Sequence, residues 1–195
     1  MQTNPKPFPI YTTNSAPDNA KSFLEAALND FGMIPNLEAV MAGAPALLQS
    51  YVSSWAAFIE TDLSPVEQQI VYQTVNFENN CEYCVPWHTL LAEKAGMDAS
   101  DIEALREGAP LSDTKHEVLR RFTQAMVRTR GQIAPSDLDA LLEAGYSERN
   151  AMEVILGIAI KTMSNYTNAI AQTPLDKAAE KRRWTKPNLR ETYQS

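Results

Sequence analysis

Helical periodicity is the feature that most constrains the fold of this chain. Apolar residues recur at intervals of three and four along most of its 195 residues, and no stretch shows sustained alternation of apolar and polar residues between turn signals. Only seven glycines are present, which leaves little room for hairpin turns. The sequence therefore predicts an all-α fold, a single-domain bundle of about eight or nine helices.

Capping residues predict where individual helices begin and end. The run Ser64-Pro65-Val66-Glu67 places a serine cap before a proline at the first helical position, with a glutamate three residues past the cap. We expect the helix that starts there to end or bend at Asn79-Asn80, where an asparagine would cap a new helix that closes at Gly96. Pro86 is tolerated only in a first turn, so regular helix should begin near Val85.

Three regions differ in composition. Residues 1–14 contain three prolines and are predicted to form an extended N-terminal arm, a kind of segment that often packs on a neighbouring subunit. Residues 15–176 form the helical domain, whose last helix, residues 148–171, is apolar nearly all round and is expected to be buried at the centre. Residues 177–195 form a basic C-terminal tail, expected to be solvated.

Charge and hydropathy exclude two classes of partner. The formal net charge of −7 argues against a nucleic-acid surface, which needs cations to neutralise phosphates. No apolar run approaches the roughly 18 residues of a membrane span. The polar, proline-rich N-terminus lacks the apolar core of a signal peptide, so we expect a cytoplasmic protein.

Both cysteines of the chain lie in one short stretch, Cys81 and Cys84, with His88 four residues further on. Two thiols three positions apart can close a disulfide, and in a reducing compartment such a pair is typical of catalysis or metal binding. Unpaired amides at a helix start favour the thiolate. Lowering a thiol pKa from about 8.5 to about 7 raises the thiolate fraction at neutral pH roughly fifteenfold.

Two other interpretations of the cysteines remain open at this point. They could be two small buried hydrophobic residues. With His88 they could also supply three zinc ligands, but a structural zinc site needs a fourth, and no spacing brings His116 near. We therefore predict no metal and no cofactor.

The motif Glu78-x-x-Cys81-x-x-Cys84-x-x-x-His88, preceded by Leu63-Ser64-Pro65 and followed by Ala95-Gly96-Met97, resembles the alkyl hydroperoxidase D-like branch of the carboxymuconolactone decarboxylase superfamily. The segments 31–36, 165–168 and 173–176 look like those of its peroxidase-related members. The resemblance implies an all-helical homo-oligomer, a trimer or hexamer. It also implies a peroxidase in which Cys84 is the nucleophile, Cys81 resolves the oxidised cysteine and His88 relays protons.

The chain departs from the best-known members of that family at two positions. Gln69 stands where they carry a glutamate that feeds the proton relay, and an amide cannot accept the thiol proton. Tyr83 stands where they have a histidine, and a tyrosine is a poor base at neutral pH. Glu67 is better explained as part of a helix cap, whereas Glu78 could replace the missing relay carboxylate if the backbone bends at Asn79.

The residues together predict a thiol-dependent peroxidase that reduces hydrogen peroxide or organic hydroperoxides through a dithiol/disulfide cycle. An external dithiol, such as a lipoylated or thioredoxin-like protein, would regenerate it. Tyr51, Trp55 and Trp87 could line a pocket for an apolar peroxide substituent. The alternatives are a disulfide reductase or dithiol relay, and a non-enzymatic helical oligomeric scaffold that has lost activity through the changes at Gln69 and Tyr83.

Overall fold

The computed structural model describes residues 8–187, which contain nine α-helices, one short 3₁₀ helix and no strand. The predicted all-α fold is confirmed. In chain order the elements are α1 Asp18–Phe31, α2 Asn36–Met41, α3 Pro45–Ile59, α4 Pro65–Glu78, α5 Cys84–Lys94, α6 Ala99–Glu107, α7 Thr114–Thr129, α8 Pro135–Glu143, α9 Glu148–Ala171 and the 3₁₀ helix Glu180–Arg182.

Two helices, α4 and α9, form the centre of the bundle. Helix α4 packs against α5, α6, α7 and α9, and α9 also packs against α2 and α3. All residues from Glu67 to Phe77 in α4 are buried, including several amide side chains. Buried amides require hydrogen-bond partners, and two of those in α4, Gln69 and Asn76, bond to residues that surround the cysteine pair.

The start of α4 is the capping box that the sequence predicts. Ser64 Oγ accepts a hydrogen bond from the Glu67 backbone N–H at 3.2 Å, and the Ser64 N–H donates to the Glu67 carboxylate at 2.8 Å. Tyr146 Oη donates to the other oxygen of that carboxylate at 2.9 Å. Glu67 is therefore held at the helix cap and does not belong to the cysteine site.

The turn between α4 and α5 differs from the prediction. Asn80 takes the left-handed conformation with φ of 53°, its N–H donates to Phe77 O, and the Cys81 N–H donates to Asn76 O. This is a Schellman arrangement, so Asn80 terminates α4 and does not cap the next helix. Cys81 lies in the turn and α5 begins at Cys84, with Pro86 in its first turn as expected.

The described ends of the chain pack on the domain. The Tyr11 N–H donates to Ala39 O at 3.1 Å, and residues 1–7 of the predicted arm lie outside the described range. Near the C-terminus, Trp184 is buried against Phe77, and its Nε1 donates to Arg106 O at 2.8 Å. The basic side chains of Lys177, Lys181 and Arg183 are exposed as expected, but Trp184 anchors the segment to the domain, while residues 188–195 lie outside the described range.

Helix α9 is central but not buried all round. Its outer face carries four exposed apolar side chains: Met152 (66% exposed), Ile155 (43%), Tyr166 (62%) and Ile170 (70%). The sequence interpretation missed this face because apolar residues alone cannot distinguish contact with the same chain from a surface left uncovered. Within residues 8–187, no helix has the length and apolar character needed to cross a bilayer.

Candidate active site

The two cysteines are free thiols buried where α5 begins, and Cys84 is only 1% exposed. The Cys84 backbone N–H donates to Cys81 Sγ at 3.2 Å. The turn ended by Asn80 therefore brings the first sulfur back over the first turn of the helix that carries the second.

Two asparagines of α9 donate hydrogen bonds to the sulfur of Cys84. Asn165 Nδ2 lies 3.1 Å from Cys84 Sγ, and Asn168 Nδ2 lies 3.2 Å from it and 3.8 Å from Cys81 Sγ. Amide N–H groups are donors only, so they stabilise a negative charge on the sulfur that accepts them.

The buried amides of α4 orient one of these donors. Asn165 Nδ2 also donates to Asn76 Oδ1 at 2.9 Å, and Asn165 Oδ1 accepts from Asn79 Nδ2 at 2.9 Å. With its oxygen occupied by a donor, the amide of Asn165 has to direct an N–H at the thiol.

The histidine of the cysteine motif, His88, bonds to a buried lysine, Lys161. His88 Nδ1 is 2.8 Å from Gln69 Oε1, and His88 Nε2 is 2.8 Å from Lys161 Nζ. An amide oxygen only accepts, so Nδ1 carries the imidazole proton and Nε2 accepts a hydrogen bond from the Lys161 ammonium. Burial, together with the Lys161 charge, lowers the pKa of His88 and keeps the ring neutral.

These contacts separate the two thiols electrostatically. Burial raises the pKa of Cys84, but the hydrogen bond with Cys81, the Lys161 charge and the amides of Asn165 and Asn168 outweigh it and bring that pKa to about 6. Burial and the adjacent Cys84 raise the pKa of Cys81. Burial lowers the pKa of Lys161, and the neighbouring sulfurs oppose that change. At neutral pH the arrangement is thus a Cys84 thiolate beside a Cys81 thiol.

Neither of two predicted relay residues, Glu78 and His88, bonds to a thiol among the described residues. The Glu78 carboxylate accepts hydrogen bonds from Gln124 Nε2 at 2.7 Å and from Arg128 Nε at 2.8 Å, which joins α4 to α7. His88 lies next to the site, but within residues 8–187 its ring bonds only to Gln69 and Lys161. Glu78 is therefore not the substitute carboxylate that the sequence suggested.

Tyr83 forms part of the wall of the site. Its hydroxyl donates to the Asp176 carboxylate and accepts from the Leu37 N–H at 3.1 Å, and Trp87 Nε1 donates to the same carboxylate at 2.9 Å. Burial and the adjacent Asp176 raise the pKa of Tyr83. Tyr83 is therefore a fixed neutral hydroxyl that cannot replace a histidine base.

A cavity of about 500 Å³ opens onto Cys84, His88 and Lys161. Its walls are mainly apolar, and the aromatic rings that contribute include Phe31, Tyr51, Trp55, Tyr72, Tyr83 and Trp87. The pocket expected from Tyr51, Trp55 and Trp87 is therefore present. Trp55 and Tyr72 stack with their ring centroids 5.0 Å apart, which fixes one wall.

One carboxyl group also faces this cavity. Glu38 of α2 is 8% exposed and lines the cavity with Cys84. Burial, followed by the negative charges of Asp30 and Asp176, raises the pKa of Glu38 to about 7. Among the described residues, no group of three or more histidine, cysteine, aspartate or glutamate side chains is arranged to hold a metal ion.

Sequence reasoning missed Lys161, Asn165, Asn168 and Glu38. The three α9 residues follow one another at intervals of four and three, so they share one face of an otherwise apolar helix. That pattern was a usable signal, because buried polar side chains in a central helix need a partner. Glu38 gave no such signal, since nothing in the local sequence of α2 connects it to the cysteines.

The model of the carboxymuconolactone decarboxylase family matches residues 45–125, which include α4, both cysteines and His88. Two solved structures of peroxidase-related proteins, one of them described as an AhpD core, share the arrangement of helices described above. Residues 45–125 thus match the carboxymuconolactone decarboxylase family, and the fold of the chain is AhpD-like. No curated protein matches the sequence.

The similarity of fold extends over almost the whole chain in three solved structures. An alkylhydroperoxidase AhpD core protein from Ralstonia eutropha, described as an uncharacterized peroxidase-related protein, is 16% identical, with a TM-score of 0.79 over 91% of this chain and 96% of that one. A peroxidase-related protein from a Silicibacter species is 21% identical, with a TM-score of 0.75 over 92% and 97%. An alanine variant of the debrominase Bmp8 in complex with 2,3,4-tribromopyrrole is 17% identical, with a TM-score of 0.71 over 93% and 96%. At these identities the structures establish the shared fold.

Proposed function

We propose that this protein is a thiol-dependent peroxidase, with Cys84 as nucleophile and Cys81 as resolving cysteine, and that organic hydroperoxides are better substrates than hydrogen peroxide. The observation that carries the proposal is the Cys84 sulfur, which accepts two amide hydrogen bonds beside a buried lysine at an aromatic cavity. A low thiol pKa makes Cys84 a thiolate at neutral pH, and the thiolate is the nucleophile in thiol chemistry.

The proposed cycle transfers two electrons. The Cys84 thiolate attacks the terminal oxygen of the hydroperoxide, so that an S–O bond forms, the O–O bond breaks and an alkoxide leaves, to be protonated to an alcohol. The Cys81 thiol then attacks the sulfur of the Cys84 sulfenic acid, forming the disulfide and releasing water. An external dithiol that can enter the cavity, such as dithiothreitol or the lipoyl group of a lipoylated protein, reduces the disulfide.

Lys161 supplies a positive charge that stabilises the Cys84 thiolate, so the site does not depend on the relay carboxylate that the family pattern places at position 69. Its ammonium donates to His88 Nε2, and Gln69 fixes the tautomer of that ring from the other side. His88 and Gln69 are therefore positioning residues for the lysine, and the thiolate is stabilised without a carboxylate relay. The descriptions of two similar structures as peroxidase-related proteins support the same chemistry.

The alternative of a protein disulfide reductase fits the structure less well. Both sulfurs are buried, so a disulfide on a folded partner could not reach Cys84 without a rearrangement of the cavity walls. The alternative of an inactive scaffold leaves the hydrogen bonds directed at Cys84 without a purpose, although they are costly to arrange in the interior.

Reductive dehalogenation is a second candidate, favoured by the aromatic walls of the cavity. A similar structure is a debrominase bound to a brominated pyrrole, and a flat ring of that kind suits a slot lined by Trp55, Tyr72 and Trp87. In this reaction the two thiols would supply two electrons, and the products would be the reduced ring, bromide and the Cys81–Cys84 disulfide.

The deciding experiment compares cumene hydroperoxide, hydrogen peroxide and tribromopyrrole as substrates of the reduced protein with dithiothreitol in excess. We expect fastest consumption of cumene hydroperoxide and complete loss in Cys84→Ser. Cys81→Ser, oxidised after the dithiothreitol has been removed, should hold one sulfenic acid per chain and form no disulfide within the chain. Unchanged turnover in Cys84→Ser would refute the proposal. Release of bromide at a higher rate than peroxide consumption would assign the second candidate instead.

A further inference from the structure

We propose that Glu38 is a general acid of this site, which protonates the leaving oxygen when the Cys84 thiolate cleaves a hydroperoxide. The inference rests on the proposed peroxidase function and adds a catalytic residue to it. Nothing in the cysteine motif assigns this role, because Glu38 belongs to a different helix and precedes the motif by more than 40 positions.

Glu38 differs from every other buried carboxylate in residues 8–187. The other four each accept hydrogen bonds from protein donors: Glu67 from Ser64 and Tyr146, Asp101 from Ser112, Glu153 from Asp62, Arg149 and Asn150, and Asp176 from Asn36, Tyr83 and Trp87. The Glu38 carboxyl bonds to no protein group in that range, and it lines the cavity that reaches Cys84. A buried polar group that no protein group satisfies is available to a molecule in the cavity.

The position of Glu38 is fixed although its carboxyl is free. The Asn36 N–H at the start of α2 donates to Asp176 Oδ1 at 3.1 Å, and Asn36 Nδ2 donates to Pro174 O at 3.0 Å. These bonds tie α2 to the segment that follows α9. The same Asp176 accepts from Trp87 on α5, so one carboxylate holds α2 in register with the helix that carries Cys84.

The groups around Glu38 favour its neutral form. Those that face it or share its cavity are Asp30 of α1, Tyr51 of α3, Tyr83 before α5, Cys84 and His88 of α5, Lys161 of α9 and Asp176 after α9. Burial together with Asp30 and Asp176 disfavours a further negative charge. Since its pKa is raised to about 7, Glu38 holds a proton for much of the time at neutral pH and can give it up readily.

The step balances with the groups present. The Cys84 thiolate forms a bond to the terminal oxygen, the O–O bond breaks, and the bonding electrons leave with the substituted oxygen. The Glu38 proton moves to that oxygen, so the products are the Cys84 sulfenic acid, a neutral alcohol and the Glu38 carboxylate. Solvent returns a proton to Glu38 before the next cycle.

A general acid matters most for a poor leaving group, and this distinguishes catalysis from a packing role. Alkyl hydroperoxides expel an alkoxide, which is a strong base and needs a proton. Peroxycarboxylic acids expel a carboxylate, which leaves without one. Loss of a general acid should therefore slow the first class selectively, whereas a distorted site should slow both.

The test is stopped-flow oxidation of reduced protein by cumene hydroperoxide and by peracetic acid, in wild type, Glu38→Gln and the control Glu143→Gln. Glu143 is exposed at the end of α8, so its replacement removes an equal charge far from the cavity. We expect Glu38→Gln to lose roughly a hundredfold with cumene hydroperoxide and less than about threefold with peracetic acid. The wild-type rate should fall as pH rises through about 7, and Glu38→Gln should lack that fall.

The outcomes separate the two levels of the proposal. Equal losses with both oxidants, or an unchanged fall of rate with pH in Glu38→Gln, would overturn the role of Glu38 and leave the peroxidase intact. A wild type that reacts with neither oxidant would overturn the peroxidase itself. Thermal unfolding of Glu38→Gln, whose side chain has nearly the same shape, verifies that the variant is folded.

Discussion

Cys81 and Cys84 differ in what surrounds each sulfur. The side-chain amides of Asn165 and Asn168 in α9 lie 3.1 and 3.2 Å from Cys84 Sγ. Cys81 Sγ has only Asn168 nearby from this helix, at 3.8 Å. Hydrogen bonds to a charged acceptor are about twice as strong as neutral ones. The division of labour between two chemically identical residues therefore comes from the helix packed against them.

Lys161 should determine the reactivity of Cys84. In Lys161→Met the buried cation is lost, so the pKa of Cys84 should rise, with a tenfold loss of thiolate for each unit. We expect alkylation by iodoacetamide at neutral pH to slow by roughly tenfold, and the ultraviolet absorbance of the thiolate to titrate at higher pH. Lys94→Met, at an exposed position of α5, is the control and should alkylate like wild type. Equal rates in both variants would contradict the assignment.

Gln69→Glu tests which residue handles the charge at the site. If His88 were the relay that the family pattern suggests, restoring the carboxylate would accelerate peroxide reduction. The contacts predict the opposite, because a carboxylate hydrogen-bonded to His88 Nδ1 lowers the net positive charge beside Cys84 and raises its pKa. We expect a slower reaction at neutral pH, measured by stopped-flow oxidation, and a faster one would restore the histidine relay.

The buried Glu38 should make stability depend on pH. Its pKa is about 7 in the folded protein against an ordinary 4.5, so the folded state binds more protons than the unfolded state between these values. Stability is then lost as pH rises through this window. Relative to wild type, Glu38→Gln should gain up to about 3 kcal/mol of unfolding free energy between about pH 5 and about pH 8, measured by urea unfolding. If the difference in unfolding free energy between Glu38→Gln and wild type does not change with pH, folding does not raise the pKa of Glu38.

At the scale of the element, α9 performs two tasks with two faces. Its inner face places Lys161, Asn165 and Asn168 at the cysteines, and this requires α9 to approach α4 closely. Gly157 permits the approach, since a Cβ there would lie 2.6 Å from Val71 Cγ1 and 3.0 Å from Phe58 Cζ. Glycine in mid-helix costs about 1 kcal/mol of helix propensity relative to alanine.

Gly157→Ala should be destabilising despite that gain in propensity. Overpacking in a dense core costs about 1–3 kcal/mol, and a Cβ that lies 2.6 Å from Val71 Cγ1 forces the Val71 side chain or the helix itself to shift. We expect a lower urea midpoint and slower alkylation of Cys84, because α9 would carry its amides away from the sulfur. The double variant with Val71→Ala should lose less than the sum of the two single losses. Additive losses would show that the two side chains do not conflict.

At the scale of the whole molecule, the uncovered apolar face is the outer side of α9. Met152, Ile155, Tyr166 and Ile170 follow helical spacing along most of its length, and patches of this kind mark interaction sites in soluble proteins. The homo-oligomer expected from the sequence is therefore proposed to assemble through this face, with a second copy of the chain as the partner.

Charging the outer face should prevent that assembly. The double change Ile155→Lys and Ile170→Lys buries two unpaired cations in any contact made there. We expect light scattering after size exclusion to show a mass near the 21.7 kDa of one chain for the variant and a multiple of it for wild type. Glu107→Lys, at an exposed position of α6, should assemble like wild type. A monomeric wild type would exclude the interface.

The sequence alone determined the all-α class, most helix boundaries and the positions of both cysteines. Serine and proline at Ser64 and Pro65 start α4, and Gly32 and Gly96 stop α1 and α5, because caps depend on backbone groups within about four residues. Asn80 shows the limit of such local rules. An asparagine suits both the end of one helix and the start of the next. Here Asn80 adopts the left-handed conformation, which ends α4.

Only the tertiary structure decided which residues act with the cysteines. Glu78 and His88 lie in the motif, yet the Glu78 carboxylate joins α4 to α7 and the His88 ring accepts a hydrogen bond from Lys161. Lys161, Asn165 and Asn168 come to Cys84 from α9, and Glu38 of α2 lines the cavity onto which Cys84 opens. The physical reason is that the pKa of a buried thiol depends on the charges and donors within a few ångströms in space, and packing sets those neighbours whatever their separation along the chain.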